Sequence, residues 1–198
     1  MDKFSERIDK LNMSEHQQEY TLGGMEANLK SLAIIIPLVF IMVFSYQFLW
    51  GWEKTATDLS FLFSDYLLLF LSLVLGTIAH ELLHGAVWLV ASGLSWGDMH
   101  FGFNWKAIAP YAHCNKPMAV KAYRRGVLAP GLILGIFPFV LGMILGQSFL
   151  TGFGFIFTLV AGGDFLMLWV IRNVCKSKHV QDHPSLVGCI VTNNIEMQ

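Results

Sequence analysis

Uncharged, mostly apolar runs recur along this chain at the length a bilayer demands, and polar stretches separate them. A spanning helix needs about 20 predominantly apolar residues. Ser31 to Trp52 carries no charge, and Tyr66 to about Gly93 carries one formally charged side chain, Glu81. Between Arg125 and Asp164 no residue is charged, but the turn-like GQSFLTGFG at 146–154 divides that run into Val127–Leu145 and Phe149 to about Val174. The pattern predicts an all-α membrane protein of about four transmembrane helices. Pro37, Pro130 and Pro138 lie inside the spans as candidate kinks, which neighbouring helices can accommodate. The expected organisation is a polar cytosolic segment over 1–28, a four-helix transmembrane domain over 29–175, and a cytosolic tail over 176–198.

One loop has a different period. HFGFNWKAIAPYAHC at 100–114 alternates around an N-W-K break and predicts a short β-hairpin in the cytosolic loop. Its edge can pair with an unwound substrate strand or serve as a cap on the helix ends, and the cap is favoured. NKPMAVKAYRRG then reads as a helix start, with Asn115 as N-cap and Pro117 in the first turn.

Composition agrees with the pattern and narrows the partners. With 55% hydrophobic and 14% charged residues, the chain is too apolar for an ordinary soluble domain. A net charge of -1 without a basic patch excludes nucleic acid as an expected partner, whereas 16 Phe and 6 Trp suit a lipid bilayer and its interfaces. The first 28 residues lack the basic start and short apolar core of a cleavable signal, so the first span is expected to be a retained anchor. With four spans, every Lys and Arg but Lys54 falls on one side. The positive-inside rule then places both termini and the 95–123 loop in the cytosol of a multi-pass inner-membrane protein. Cys114, Cys175 and Cys189 would sit in a reducing compartment as free thiols.

The candidate chemistry is in the second span. HELLH at 80–84 puts His80 and His84 one helical turn apart on one face, where both imidazoles can share a metal, with Glu81 beside them to accept a proton from water. An unpaired ionisable group in a bilayer costs from about 2.5 to more than 10 kcal/mol, which makes the cluster a functional candidate. Catalytic Zn2+ usually takes three protein ligands, so a third is needed. Asp164 is the only charge between Arg125 and Arg172. His84 and Asp164 each lie about ten residues from the cytosolic end of their spans, roughly 15 Å deep at about 1.5 Å per residue. Gly162 and Gly163 would let the two helices approach. The competing reading has Asp164 protonated or paired with a helix terminus. His16, His100, His179 and His183 read as surface residues; His113, beside Cys114, is the most suggestive of the rest.

AHELLHG, PYAHCNKPM, LAPG, GGD and DHPSLVGC together resemble a family of small bacterial membrane proteins described as zincin peptidases, over about residues 66–190. More loosely, the arrangement is similar to the site-2 class of intramembrane metalloproteases. The resemblance implies His80, His84 and Asp164 as zinc ligands and Glu81 as the base. Site-2 proteases usually have a glycine after the aspartate, whereas here Phe165 follows and the glycines precede. The expected function is a zinc peptidase acting on a membrane-protein or peptide substrate in or near the bilayer. Hydrolysis of a lipid or other amphiphile is the alternative, followed by non-catalytic metal binding, against which the intact Glu81 argues.

Overall fold

A computed structural model describes residues 17–105, 109–183 and 187–192. Residues 1–16 of the expected polar segment over 1–28, including His16, Lys106 of the loop break, and parts of the tail lie outside the described residues. Strand β1 (Gln17–Leu22) comes first, followed by the long helix α1 (Gly24–Ser64). Helix α1 is not straight. Gly51 sits at φ 74° and ψ 174°, a conformation that glycine adopts without the steric cost other residues meet. The Tyr46 hydroxyl donates to Asp58, and Gln47 Nε2 donates to Thr55 Oγ1 at 2.8 Å. In a continuous helix residues 46 and 58 would stand about 18 Å apart, so the chain doubles back at Gly51. Pro37, by contrast, interrupts no helical dihedral angles.

Helix α2 (Tyr66–Ser92) carries HELLH and closes on left-handed Gly93, whose N–H bonds the Leu89 carbonyl at 2.9 Å. Helix α3 (Val120–Pro130) runs through a π-helical stretch (Gly131–Ile136) into α4 (Phe137–Leu145). Pro130 and Pro138 bracket that stretch and each removes a backbone donor; between them the ladder slips by one residue, with Phe137 N–H on Leu132 O. Helices α5 (Ser148–Val160) and α6 (Gly162–Val170) are bent by 43° at Ala161. Three helical stretches, Gly24–Asp58, Tyr66–Ser92 and Val120–Leu145, are long and apolar enough to cross a membrane, and the bent pair makes a fourth if counted as one span. Phe40, Phe44, Leu67, Phe70 and Ile144 are exposed on them, which is compatible with a membrane protein.

Close helix packing is bought with glycine. A Cβ at Gly142 would lie 2.4 Å from Thr151 N, and one at Gly154 2.2 Å from Phe139 N, so α4 and α5 meet backbone to backbone.

The expected hairpin is present: β2 (Met99–Asn104) pairs antiparallel with β3 (Ala109–Cys114), Phe101 opposite Ala112. The rest of the β structure corrects the all-α expectation. A four-stranded antiparallel sheet, order β1-β6-β5-β4, joins β1, β4 (Met118–Ala119), β5 (His179–Asp182) and β6 (Val187–Thr192). Among its described residues, the stretch 176–198 therefore carries two strands. Asn115 and Pro117 do not start a helix: Met118 is buried and pairs with Val180, which holds the chain extended until Val120. The sheet packs on one end of the bundle, in a core of Met118, Val180 and Val191 with Trp88 of α2, Tyr123 of α3 and Ile171 after α6.

Candidate metal centre

The helical repeat of α2 stacks His80 and His84 on its inner face, both buried, with ring centroids 4.9 Å apart and planes at 80°. Asp164 enters from the opposite side, in the first turn of α6, where the bend at Ala161 starts a new helix and its N-terminal amides favour a carboxylate. His80 Nε2 is 3.0 Å from Asp164 Oδ2, and His84 Nε2 is 3.4 Å from Asp164 Oδ1. One ligand atom from each of the three lies within 4.8 Å of the others.

The donor set suits a cation. Asp164 Oδ2 is buried and, despite its 3.0 Å approach to His80 Nε2, has no hydrogen bond of acceptable geometry among the described residues. The nitrogen and oxygen atoms are close without the alignment of a hydrogen bond. Two imidazole nitrogens and a carboxylate oxygen are ligand types that zinc accepts, and the family of three leaves room for water. His80, His84 and Asp164 thus lie together, but the glycines act elsewhere. A Cβ at Gly162 would meet Ile35 of α1 at 2.8 Å, and Gly163 has nothing within 4 Å, so Gly162 admits α1 instead of the HELLH helix.

His84 is held from behind. Its Nδ1 lies 2.9 Å from the carbonyl oxygen of Gly126 in α3. In an uninterrupted helix that carbonyl would accept the N–H of residue 130; Pro130 has none, and the next amide, Gly131, donates to Leu128 O. With the proton on Nδ1, His84 Nε2 presents its lone pair to the site. One turn on, Trp88 stacks against His84 at 5.5 Å and donates Nε1–H to Tyr123 O at 3.1 Å. A Cβ at residue 126 would lie 2.1 Å from that indole nitrogen, so the position needs glycine. Gly126 and Pro130 were missed as site residues; the only local signal was a proline four residues after a glycine inside an apolar run.

The hairpin completes the setting of Glu81. Gly85 lacks the Cβ that would stand 2.7 Å from Phe101 Cζ, so β2 packs directly on α2. This brings the Ala112 backbone amide to the Glu81 carboxylate. In an antiparallel pair alternate amides point away from the partner strand. Along β3 those are Pro110, which has no N–H, Ala112, directed at Glu81, and Cys114, which donates to Asp182 Oδ2 at 3.0 Å. The outer edge of β3 thus has few donors left for another strand, which favours the cap over strand pairing.

His113 does not join the three candidate ligands. Its Nδ1 lies 3.8 Å from Asp182 Oδ2, and Tyr123 also hydrogen-bonds that carboxyl. Burial pushes the Asp182 carboxyl above the usual carboxylate range, against the lowering effect of its donors. His100, His179 and His183 are likewise outside the group. Cys114, Cys175 and Cys189 are free thiols, the first and last buried, and burial pushes the Cys189 thiol up to about 12.

The family model described as "Putative zincin peptidase" covers residues 73–178, more than half of the chain, spanning HELLH, the hairpin, the Gly126–Pro130 segment and Asp164. No curated protein and no solved structure matches.

Proposed function

The chain belongs to this family of zincin peptidases, and on that footing we propose that it is a zinc-dependent, membrane-embedded peptidase that hydrolyses peptide bonds in or near the bilayer. The observation that carries the reading is the convergence of His80 and His84 of α2 with Asp164 of α6, their ligand atoms within 4.8 Å, beside Glu81 of α2. His80, His84 and Asp164 would hold the ion. Bound zinc supplies a Lewis acid that polarises the scissile carbonyl and acidifies water.

The remaining work belongs to the protein. Glu81, oriented by the Ala112 amide, takes a proton as water oxygen attacks the carbonyl carbon. It returns that proton to the amide nitrogen as the C–N bond breaks, so the carboxylate is regenerated. The Gly126 carbonyl keeps His84 in the tautomer that ligates through Nε2. A substrate helix must unwind locally before its carbonyl reaches these groups, since a helical carbonyl is already hydrogen-bonded. We place the sheet and hairpin at the cytosolic face of the inner membrane, with substrates among membrane proteins or peptides; the asymmetry of basic residues supports that orientation.

The test is a reconstituted cleavage assay. Protein in lipid vesicles is given membrane-anchored peptides, and both peptide and lipid products are followed. Peptide cleavage by wild type that disappears in Glu81→Gln is the expected result. Intact peptides together with Glu81-dependent lipid products would replace the peptidase by the lipid hydrolase.

A further inference from the structure

Two of the helical stretches apolar enough to cross a membrane end side by side, for α3 begins at Val120 and α6 stops at Val170. Their ends are tied through backbone acceptors. Arg124 Nη2 donates to the carbonyl oxygens of Ile171, of Arg172 at 3.1 Å and of Val174 at 3.0 Å. Val120 N–H donates to Lys178 O at 3.2 Å. Residues 120–125 therefore lie along residues 171–178, and the two segments together carry Lys121, Arg124, Arg125, Arg172, Lys176 and Lys178.

No carboxylate answers this charge. The lysine ion pairs among the described residues engage Lys30, Lys54 and Lys116. Lys121, Arg125, Arg172 and Lys176 are exposed and enter none of them. Asp182 is buried under the sheet, and Glu19 is in β1, at the opposite sheet edge from β4. Helix α3 has no acidic residue in its first turn, although the amides of a helix N-terminus favour anions and oppose cations. Lys121 and Arg125 are four residues apart on one face, and side chains lean towards the N-terminus of their helix, so Arg125 leans back towards Lys121. Arg172 lays its guanidinium over the Trp169 ring, 4.3 Å from the centroid. Trp169 is itself exposed at the end of α6, the setting of an indole at a bilayer interface. The positive-inside rule asks for cations on this side; it does not ask that two cationic segments be fastened together with no acid between them.

We propose that this cluster binds the phosphate of an anionic phospholipid of the bilayer, with Lys121, Arg125 and Arg172 as its cationic contacts. Each guanidinium can offer two parallel N–H groups to two phosphate oxygens, and the lysine adds a point charge. A zwitterionic headgroup brings its own cation and gains less from the site. Free phosphate shares the chemistry, but the position at the ends of two spans, beside Trp169, selects a phosphate held in the membrane surface. The site rests on the reading that these helices cross a bilayer and not on hydrolysis at Glu81.

The experiment places the full chain in nanodiscs of equal parts phosphatidylglycerol and phosphatidylcholine, and native mass spectrometry counts the lipids that stay bound on ejection. Phosphatidylglycerol should be retained in preference to phosphatidylcholine, and glycerol 3-phosphate added to phosphatidylcholine nanodiscs should give no adduct. In Lys121→Gln/Arg125→Gln the preference should fall about 30-fold, the combined scale for two cations at an anionic leaflet. Lys30→Gln/Lys116→Gln removes the same charge from residues already paired with acids and should keep the preference. The wild-type lipid comparison needs no variant, and no readout requires zinc or cleavage. Equal retention of the two lipids, a glycerol 3-phosphate adduct, or an equal loss in both double variants would overturn the proposal. A chain that does not enter the nanodisc would refute the spanning reading and the site with it.

Discussion

His84 and Gly126 meet across 42 residues of sequence, Nδ1 to carbonyl oxygen at 2.9 Å, because the residue four positions after the glycine is a proline. Restoring an N–H at that position should set the helix in competition with the histidine for one carbonyl. We expect Pro130→Ala to weaken zinc binding by about 10- to 100-fold, the usual scale for an outer-shell partner. Competition titration against a chelator measures it. Undiminished affinity would show that the carbonyl does not orient the ligand.

The ligands themselves make a stronger prediction. Purified protein should bind about one zinc per chain, and the double substitution of His80 and His84 by alanine should abolish binding. Asp164→Asn keeps the shape but removes the charge that offsets the cation, so affinity should fall there too. Wild-type zinc affinity in Asp164→Asn would remove the aspartate from the ligand set.

Glu81 should behave differently from its neighbours. Glu81→Gln is expected to leave zinc stoichiometry intact while lowering the cleavage rate by about 10²- to 10⁴-fold. Loss of zinc together with activity would mean that Glu81 is a ligand rather than a base.

The hairpin base should respond to pH through Asp182. Its carboxyl is raised above the unfolded value, so its neutral form is favoured on folding. The associated stability is complete below the unfolded carboxylate pKa, about 3.9, and declines as pH rises through the folded value. Hydrogen exchange at the Cys114 amide, corrected for intrinsic rate, should therefore lose protection with rising pH in wild type. Asp182→Asn, which keeps an acceptor, should flatten that profile. An unchanged profile in the variant would assign the pH response to another group.

Much of the candidate site was legible because its signals are local. His80 and His84 share a face by helical period, Asp164 is the sole charge in a long apolar run, and the hairpin alternates around a turn. What could not be read depends on distant partners. QQEYTL is largely polar and HVQD has only four residues, so neither shows a strand until β6 lies between them. Asn115 and Pro117 fit a helix start locally, but the pairing of Met118 with Val180 overrides that preference. Gly162 showed that some helix would come close and gave no sign that it would be α1.

The pairing of β1 with β6 also sets an order of assembly. Gln17 is opposite Thr192 and Leu22 opposite Val187, so the strand made first must await nearly the last described one. At about 5–20 residues per second, translation of the intervening chain takes on the order of ten seconds or more. During that interval the helices are made while β1 presents an unpaired edge. The four-stranded sheet therefore closes after synthesis of the helices, and nascent chains stalled before Val187 should hold their helices without it. Such chains would be the natural targets for chaperones that recognise exposed strand edges.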